Sequence, residues 1–111
     1  MIFGTDDDDV IVALGGDDQI FGREGNDLIC AGEGSDHVFG GTGDDVLVGE
    51  GGDDYVFGDH GEDVLLGGDD DDRLYGGVDD DELDGGSDTD FCNGGKDADA
   101  AVACETEVLI P

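Results

Sequence analysis

The chain has almost no positive charge and few aromatic residues. Its 111 residues include 3 Lys and Arg against 33 Asp and Glu, so the formal net charge is −30, and there is no Trp. Nucleic-acid binding through phosphate neutralisation is excluded, because it requires Lys and Arg. An anionic membrane surface would repel the chain. Strong self-repulsion with only 6% aromatic residues is also typical of disorder. If the chain folds, a cation must offset its charge.

Long apolar runs are also missing. No run approaches the roughly 20 residues that span a bilayer. The start, MIFGTDDDD, has neither a basic nor an apolar segment, so no signal peptide is predicted. The length indicates one small domain or part of a larger protein. Three cysteines allow one bridge and one free thiol, and they are too few for a disulfide framework.

A nine-residue repeat begins at Gly4 and continues to Val102 without insertion or deletion. It is clearest in three consecutive units within residues 22–48, which read GREGNDLIC, AGEGSDHVF and GGTGDDVLV. A fixed short period indicates a repeat architecture. The eleven units span 4–12, 13–21, 22–30, 31–39, 40–48, 49–57, 58–66, 67–75, 76–84, 85–93 and 94–102.

Two positions of the unit define this register. Position six is Asp in every unit, and position eight is almost always aliphatic. The residues at position six are Asp9, Asp18, Asp27, Asp36, Asp45, Asp54, Asp63, Asp72, Asp81, Asp90 and Asp99. The residues at position eight are Ile11, Ile20, Ile29, Val38, Leu47, Val56, Leu65, Leu74, Leu83, Cys92 and Ala101. A disordered chain would show no such register.

The two halves of each unit predict different local structure. Positions one to six are rich in Gly and Asp, which tolerate positive φ and tight turns. Positions seven to nine favour a short strand whose eighth residue faces inward. Two units then form one 18-residue coil. The sequence therefore predicts an all-β fold, a two-sheeted parallel solenoid over residues 1–102 with about five and a half coils and a height of about 26 Å.

These units resemble the RTX nonapeptide, G-G-x-G-x-D-x-U-x with U a large apolar residue, which builds calcium-binding parallel β-rolls. The resemblance covers 4–102, and the unit at 40–48 matches in full. The departures from the motif include Thr5, Leu14 and Arg23 at position two of the first three units, and Asp7, Asp70, Asp79, Asp88 and Asp97 at position four. Because Asp adopts the left-handed conformation at some cost, we expect weaker sites in the terminal turns.

The resemblance implies that each calcium ion lies between two turns 18 residues apart. One turn would supply its Asp and the carbonyls of positions two and four, and the next its Asp and the carbonyls of positions one and three. The carbonyls implied for two central sites are those of Gly32, Gly34, Gly49 and Gly51, and those of Gly41, Gly43, Gly58 and His60. Five gaps on one edge and four on the other would hold up to about nine ions.

Charge links these ions to folding. Nine calcium ions would bring the net charge from −30 to about −12, so folding is expected to depend on metal binding. Two aspartates per gap indicate an affinity suited to extracellular calcium at about millimolar concentration. Magnesium is expected to substitute poorly, because it demands octahedral geometry and retains its waters. The resemblance implies a secreted bacterial protein.

The register also sorts the outward side chains into two faces. One has an aromatic column of Phe21, Phe39, Phe57 and Tyr75, for which strand propensity and partner binding both stay open. The other, which we call the aliphatic face, is a contiguous apolar surface of a kind that soluble monomers rarely expose. We expect a second copy or a neighbouring domain to cover it. The aliphatic face consists of Val10, Val12, Leu28, Cys30, Val46, Val48, Val64 and Leu66.

The last nine residues, 103–111, lose the motif and are predicted to cap the solenoid. Continuing the register would place Ile110 at position eight. Cys92 and Cys104 are close enough in sequence to bridge, which would contribute roughly 3 kcal/mol for a loop of about 13 residues. Two unpaired thiols are the alternative. Cys30 would remain free.

No catalytic constellation is evident. His37 falls on an outer face and His60 in a turn, neither with a Ser or Cys partner placed by the register. We therefore expect a non-enzymatic, calcium-dependent structural module. An extracellular adhesion or self-association module and the calcium-binding tail of a secreted hydrolase are the alternatives.

Overall fold

A computed structural model of the protein describes residues 1–109. Its regular secondary structure in this range is entirely β. The strands are β1 (Ile2–Phe3), β2 (Val10–Val12), β3 (Gln19–Glu24), β4 (Leu28–Glu33), β5 (His37–Thr42), β6 (Val46–Gly51), β7 (Tyr55–His60), β8 (Val64–Gly68), β9 (Arg73–Val78), β10 (Glu82–Gly86), β11 (Phe91–Gly95), β12 (Ala100–Val102) and β13 (Thr106–Leu109). Residues 1–109 contain no helix long and apolar enough to cross a membrane.

The strands form two parallel sheets. Odd-numbered strands make a seven-stranded sheet in the order β1-β3-β5-β7-β9-β11-β13, and even-numbered strands make a six-stranded sheet from β2 to β12. Paired residues in the repeat are 18 apart, as in His37 with Tyr55 and Tyr55 with Arg73. The prediction of a two-sheeted parallel solenoid with 18 residues per coil is therefore confirmed.

The core is a stack of position-eight residues between the sheets. Side chains alternate across each strand, so β5 and β6 bury the second residue while the first is exposed and the third half-buried. Ile11 and Ala101, at the two ends, are only partly buried. The fully enclosed position-eight residues are Ile20, Ile29, Val38, Leu47, Val56, Leu65, Leu74, Leu83 and Cys92.

The strands are longer than predicted. Most run from position seven through position two or three of the next unit, so the turn is confined to about three residues. Glycine at positions one and two continues the ladder instead of leaving it, as Gly32 does by pairing with Glu50. The chain still bends there, because position two has positive φ from the second unit onward. Leu14 (φ 78°) and Arg23 (φ 87°) adopt this conformation despite their side chains.

The two ends depart from the register in opposite ways. At the start, Ile2 and Phe3 pair with Ile20 and Phe21, so the solenoid begins before the first predicted unit. At the other end, β13 lies within the predicted cap and pairs with β11. There Cys92 lies opposite Glu107, three residues earlier than the register would place its partner, because the preceding turn is shorter. Ile110, the residue predicted for that place, lies outside the described residues.

Candidate metal centre

The position-six aspartates form one column along each edge of the solenoid. Each turn lies over the turn 18 residues on, so Asp27, Asp45 and Asp63 share one edge. The Asp27 N–H donates to Oδ1 of Asp45 at 2.7 Å, and the Asp45 N–H donates to Oδ1 of Asp63 at 2.8 Å. The same bond recurs on the other edge, from Asp36 N–H to Oδ1 of Asp54 at 2.9 Å. One carboxylate oxygen of each inner Asp is thus fixed by the backbone of the preceding coil.

The second carboxylate oxygen of these residues is buried and has no partner. Burying a charged oxygen without a hydrogen bond or a counter-ion is costly, so a proton or a cation is needed there. A buried carboxylate oxygen that lacks a partner is a suitable ligand for calcium, so these residues fit a calcium ion. The unpartnered atoms are Oδ2 of Asp18, Asp27, Asp36, Asp45, Asp54, Asp63, Asp72, Asp81, Asp90 and Asp99.

In seven of these ten turns, a backbone carbonyl from the next coil approaches the orphaned oxygen beside the position-one glycine. A Cβ placed on Gly40 would lie 2.5 Å from Oδ2 of Asp45 and 2.9 Å from the carbonyl oxygen of Gly58. A Cβ on Gly67 would lie 2.5 Å from the carbonyl of Gly85 and 2.6 Å from Oδ2 of Asp72. The oxygens of two successive coils therefore converge on one small space. A carboxylate and a carbonyl are the hard oxygen ligands that calcium prefers.

The other carbonyls implied by the resemblance are engaged between neighbouring coils. The carbonyl of Gly51 accepts from Gly34 N–H at 3.0 Å, and that of His60 accepts from Gly43 N–H at 3.1 Å. The carbonyl oxygens of Gly34 and Gly43 lie beside the next coil, where a Cβ on Gly52 or on Gly61 would clash with them.

The remaining three residues of that set lie on strands: Gly32 on β4, Gly41 on β5 and Gly49 on β6. Within residues 1–109, no three His, Cys, Asp or Glu side chains converge on one point. Backbone oxygens would therefore have to supply much of any calcium coordination.

Burial raises the pKa of the central aspartates far above the usual value for this side chain. Desolvation is the largest cause, and repulsion by neighbouring carboxylates adds to it, while the backbone hydrogen bond acts in the opposite direction. The pKa of Asp45 rises to about 6 and that of Asp54 to about 7. For Asp63 and Asp72 the pKa rises to about 8. Without a cation, the fold favours the protonated acids in the middle of both columns.

The columns end differently from their middle. At the first turn, Oδ2 of Asp9 accepts from Thr5 N–H at 2.5 Å and from the Thr5 hydroxyl at 3.0 Å. Oδ2 of Asp9 therefore has hydrogen-bond partners, unlike Oδ2 of the inner aspartates. At the last turn, the Asp90 N–H donates to Oε2 of Glu105 at 2.6 Å. Sequence reasoning missed Glu105 because it lies outside the nine-residue register. The sequence signal that could have identified Glu105 is an acidic residue directly before a strand-like run, because every repeat unit has its Asp in that place.

The cysteines lie at two places. Cys92 and Cys104 are joined by a disulfide with their Cα atoms 5.9 Å apart, next to the last turn. Cys30 is a half-buried free thiol on the aliphatic face.

The outward side chains of the odd-numbered strands stack as the register predicted. Ring centroids are 4.9 Å apart between Phe21 and Phe39, between Phe39 and Phe57, and between Phe57 and Tyr75. Phe3 extends this column by one further ring at 5.2 Å.

The aliphatic face lies on the even-numbered strands and is most exposed at its start. Val10 is 75% exposed, Leu28 40% and Val46 37%. Strand pairing places Val10, Leu28, Val46 and Val64 in one row.

A comparison with protein families agrees with this geometry. A family model described as the RTX calcium-binding nonapeptide repeat (4 copies) matches residues 3–38, 31–65 and 66–100. No curated protein and no solved structure matches the chain.

Proposed function

The chain belongs to the RTX calcium-binding nonapeptide repeat family, and from this premise we propose that it is a secreted, non-enzymatic module that folds when its paired turns bind calcium. The observation that supports the proposal most directly is the row of ten buried Oδ2 atoms without a hydrogen-bond partner. These atoms lie in a chain whose formal net charge is −30.

The residues of each gap would make different contributions to calcium binding. The position-six carboxylates of two successive turns provide negative charge, and their Oδ1 atoms are already held in place by backbone N–H groups. The position-one carbonyl contributes a neutral oxygen without side-chain entropy cost. Calcium would supply the positive charge that removes the repulsion between stacked carboxylates. Folding and binding are then one equilibrium, as in other small metal-dependent domains.

Calcium titration followed by far-UV circular dichroism tests this function. We expect a weak β signal in chelator and a cooperative gain at about millimolar calcium, because the columns repel one another until they are neutralised. Magnesium at the same concentration is the control and should produce little gain. An unchanged spectrum across the calcium titration would overturn the proposal.

The aliphatic face favours an additional role in self-association. Its exposed valines and leucines are free of charge in an otherwise strongly acidic chain, so two such faces can meet without bringing carboxylates together. A neighbouring domain of a longer protein, such as a secreted hydrolase, could cover the face in the same way.

Size-exclusion chromatography with light scattering in calcium tests self-association. We expect a dimer whose dissociation constant rises at least about tenfold in Val46→Lys, because a charge would be buried at the centre of the contact. Gln19→Lys, on the outer face of the other sheet, is the matched control and should leave the mass unchanged. A wild-type chain that stays monomeric at high concentration would exclude self-association.

A further inference from the structure

The segment after the last repeat unit rebuilds a repeat turn with fewer residues. Glu105 N–H and Thr106 N–H both donate to the Asp90 carbonyl, at 3.0 Å and 3.1 Å. In the coil before, Phe91 N–H donates in the same way to the Asp72 carbonyl at 2.9 Å. Thr106 is therefore structurally equivalent to a position-seven residue. Glu105, immediately before it, is equivalent to a position-six residue, although it is 15 residues from Asp90 instead of 18.

The Glu105 side chain also reproduces the bond that position-six aspartates make. Its Oε2 accepts from Asp90 N–H at 2.6 Å, where Oδ1 of Asp90 itself accepts from Asp72 N–H at 2.8 Å. The longer Glu side chain compensates for the shortened turn. The carboxylate column Asp18, Asp36, Asp54, Asp72 and Asp90 thus has a sixth member that no repeat unit supplies.

The space between Asp90 and Glu105 has the same oxygen arrangement as the gaps between repeats. Asp90 is 1% exposed, and its Oδ2 has no hydrogen-bond partner. A Cβ on Gly85 would lie 2.7 Å from this Oδ2 and in contact with the carbonyl oxygen of Ala103. At Gly67 the corresponding neighbours are Oδ2 of Asp72 and the carbonyl of Gly85. The Ala103 carbonyl therefore occupies the place that the position-one glycine carbonyl occupies in the gaps between repeats.

We propose that Asp90, Glu105 and the Ala103 carbonyl form an additional calcium site at the C-terminal end of the solenoid, beyond the gaps between repeat units. It rests on the proposed calcium binding of the repeats. The site uses one glutamate in place of the repeat aspartate. Because only Ala103 and Cys104 precede Glu105 in this turn, fewer backbone carbonyls face the ion. This site is therefore the weaker one and fills after the central gaps.

The disulfide holds the two halves of this site together. Cys92 lies two residues after Asp90, and Cys104 immediately precedes Glu105, with the Cα atoms of the cysteines 5.9 Å apart. The bridge limits how far the Glu105 turn can move from the Asp90 turn. Reduction removes this constraint, so the site depends on the disulfide while the central gaps do not.

Counting bound calcium by native mass spectrometry at saturating calcium tests the site. Glu105→Gln keeps an oxygen that can accept from Asp90 N–H but removes the charge, so we expect it to bind one ion fewer per chain than wild type. Glu82→Gln, an exposed change on the outer face of β10, is the matched control and should keep the wild-type count. Equal counts and equal affinities for wild type and Glu105→Gln would overturn the proposal.

A second measurement tests the additional calcium site even if Glu105→Gln does not fold. Oxidised wild-type protein should hold one ion more than the same protein with its disulfide reduced, while circular dichroism shows the β signal retained in both. The same count in both forms would contradict the site. Failure of the proposed function gives a different result, since wild-type protein would then bind no calcium in either form.

Discussion

Asp54→Asn should raise the calcium concentration at the folding midpoint about tenfold or more. Asp54 lies at the centre of its column, 1% exposed, where it contacts the coils on both sides: Asp36 N–H donates to it, and it donates to Asp72. Asparagine keeps the oxygen that accepts from Asp36 but removes one negative charge from two adjacent gaps. Calcium affinity depends on the number of ligand charges, so both gaps should weaken together. A calcium titration by circular dichroism measures the shift.

Asp53→Asn is the matched control for this substitution. Asp53 is exposed in the same turn and accepts from Asp71 N–H through Oδ1 at 3.0 Å. Asn26 occupies the corresponding place one and a half coils earlier, on the other edge, and accepts the same bond from Asp44 N–H at 2.9 Å. The control should therefore shift the midpoint less than about twofold. Equal shifts for Asp53→Asn and Asp54→Asn would show that total charge, not the buried column, governs calcium binding.

The pH dependence of stability should reverse its sign when calcium is added. Without calcium, the folded-state pKa values of Asp54, Asp63 and Asp72 lie at about 7, 8 and 8, above the ordinary value near 4. The fold binds protons more tightly than the unfolded chain does. Their contribution is therefore fully present below about pH 4 and is lost as the pH rises to about 8. With calcium bound, protons compete for the same oxygens, so acidification weakens binding and destabilises the fold.

Thermal unfolding in chelator and in excess calcium, each between pH 4.5 and 8, measures this reversal. In chelator we expect little folded protein at pH 8, and below that a melting temperature that rises by about 10 °C or more toward acid. In calcium we expect the melting temperature to fall toward acid. Asp54→Asn should flatten the dependence in chelator, because the amide cannot titrate. Stability that falls toward acid under both conditions would contradict the assignment of raised pKa values to the metal-free columns.

Much of the fold could be predicted because each repeat position has one physical role. Asp at position six and an aliphatic residue at position eight recur at a fixed period, and a period of nine that alternates between two sheets admits few structures. The core from Ile20 to Cys92 follows directly. The extension of the strands through positions one and two was not predicted, since glycine there resembles a turn residue although it continues the ladder.

The ends could not be predicted because the period stops before the structure does. Ile2 and Phe3 have no turn motif before them, yet they pair with β3 because their apolar side chains continue the core and the aromatic column. At the other end, the three-residue shortening between β12 and β13 changes every later pairing. A residue such as Glu105 acquires its place from this turn geometry rather than from its number in the repeat.

The ladder of Asp N–H to carboxylate bonds makes the solenoid a one-dimensional chain of nearest-neighbour couplings. Every such bond between two position-six aspartates joins residues 18 apart, so each coil is coupled only to the coil before it and the coil after it. In such arrays the free energy is a sum of unit and interface contributions, and order spreads from a nucleus like a zipper. These position-six bonds also share one direction, with each coil donating to the next. Adding coils should therefore steepen the transition without altering any existing interface.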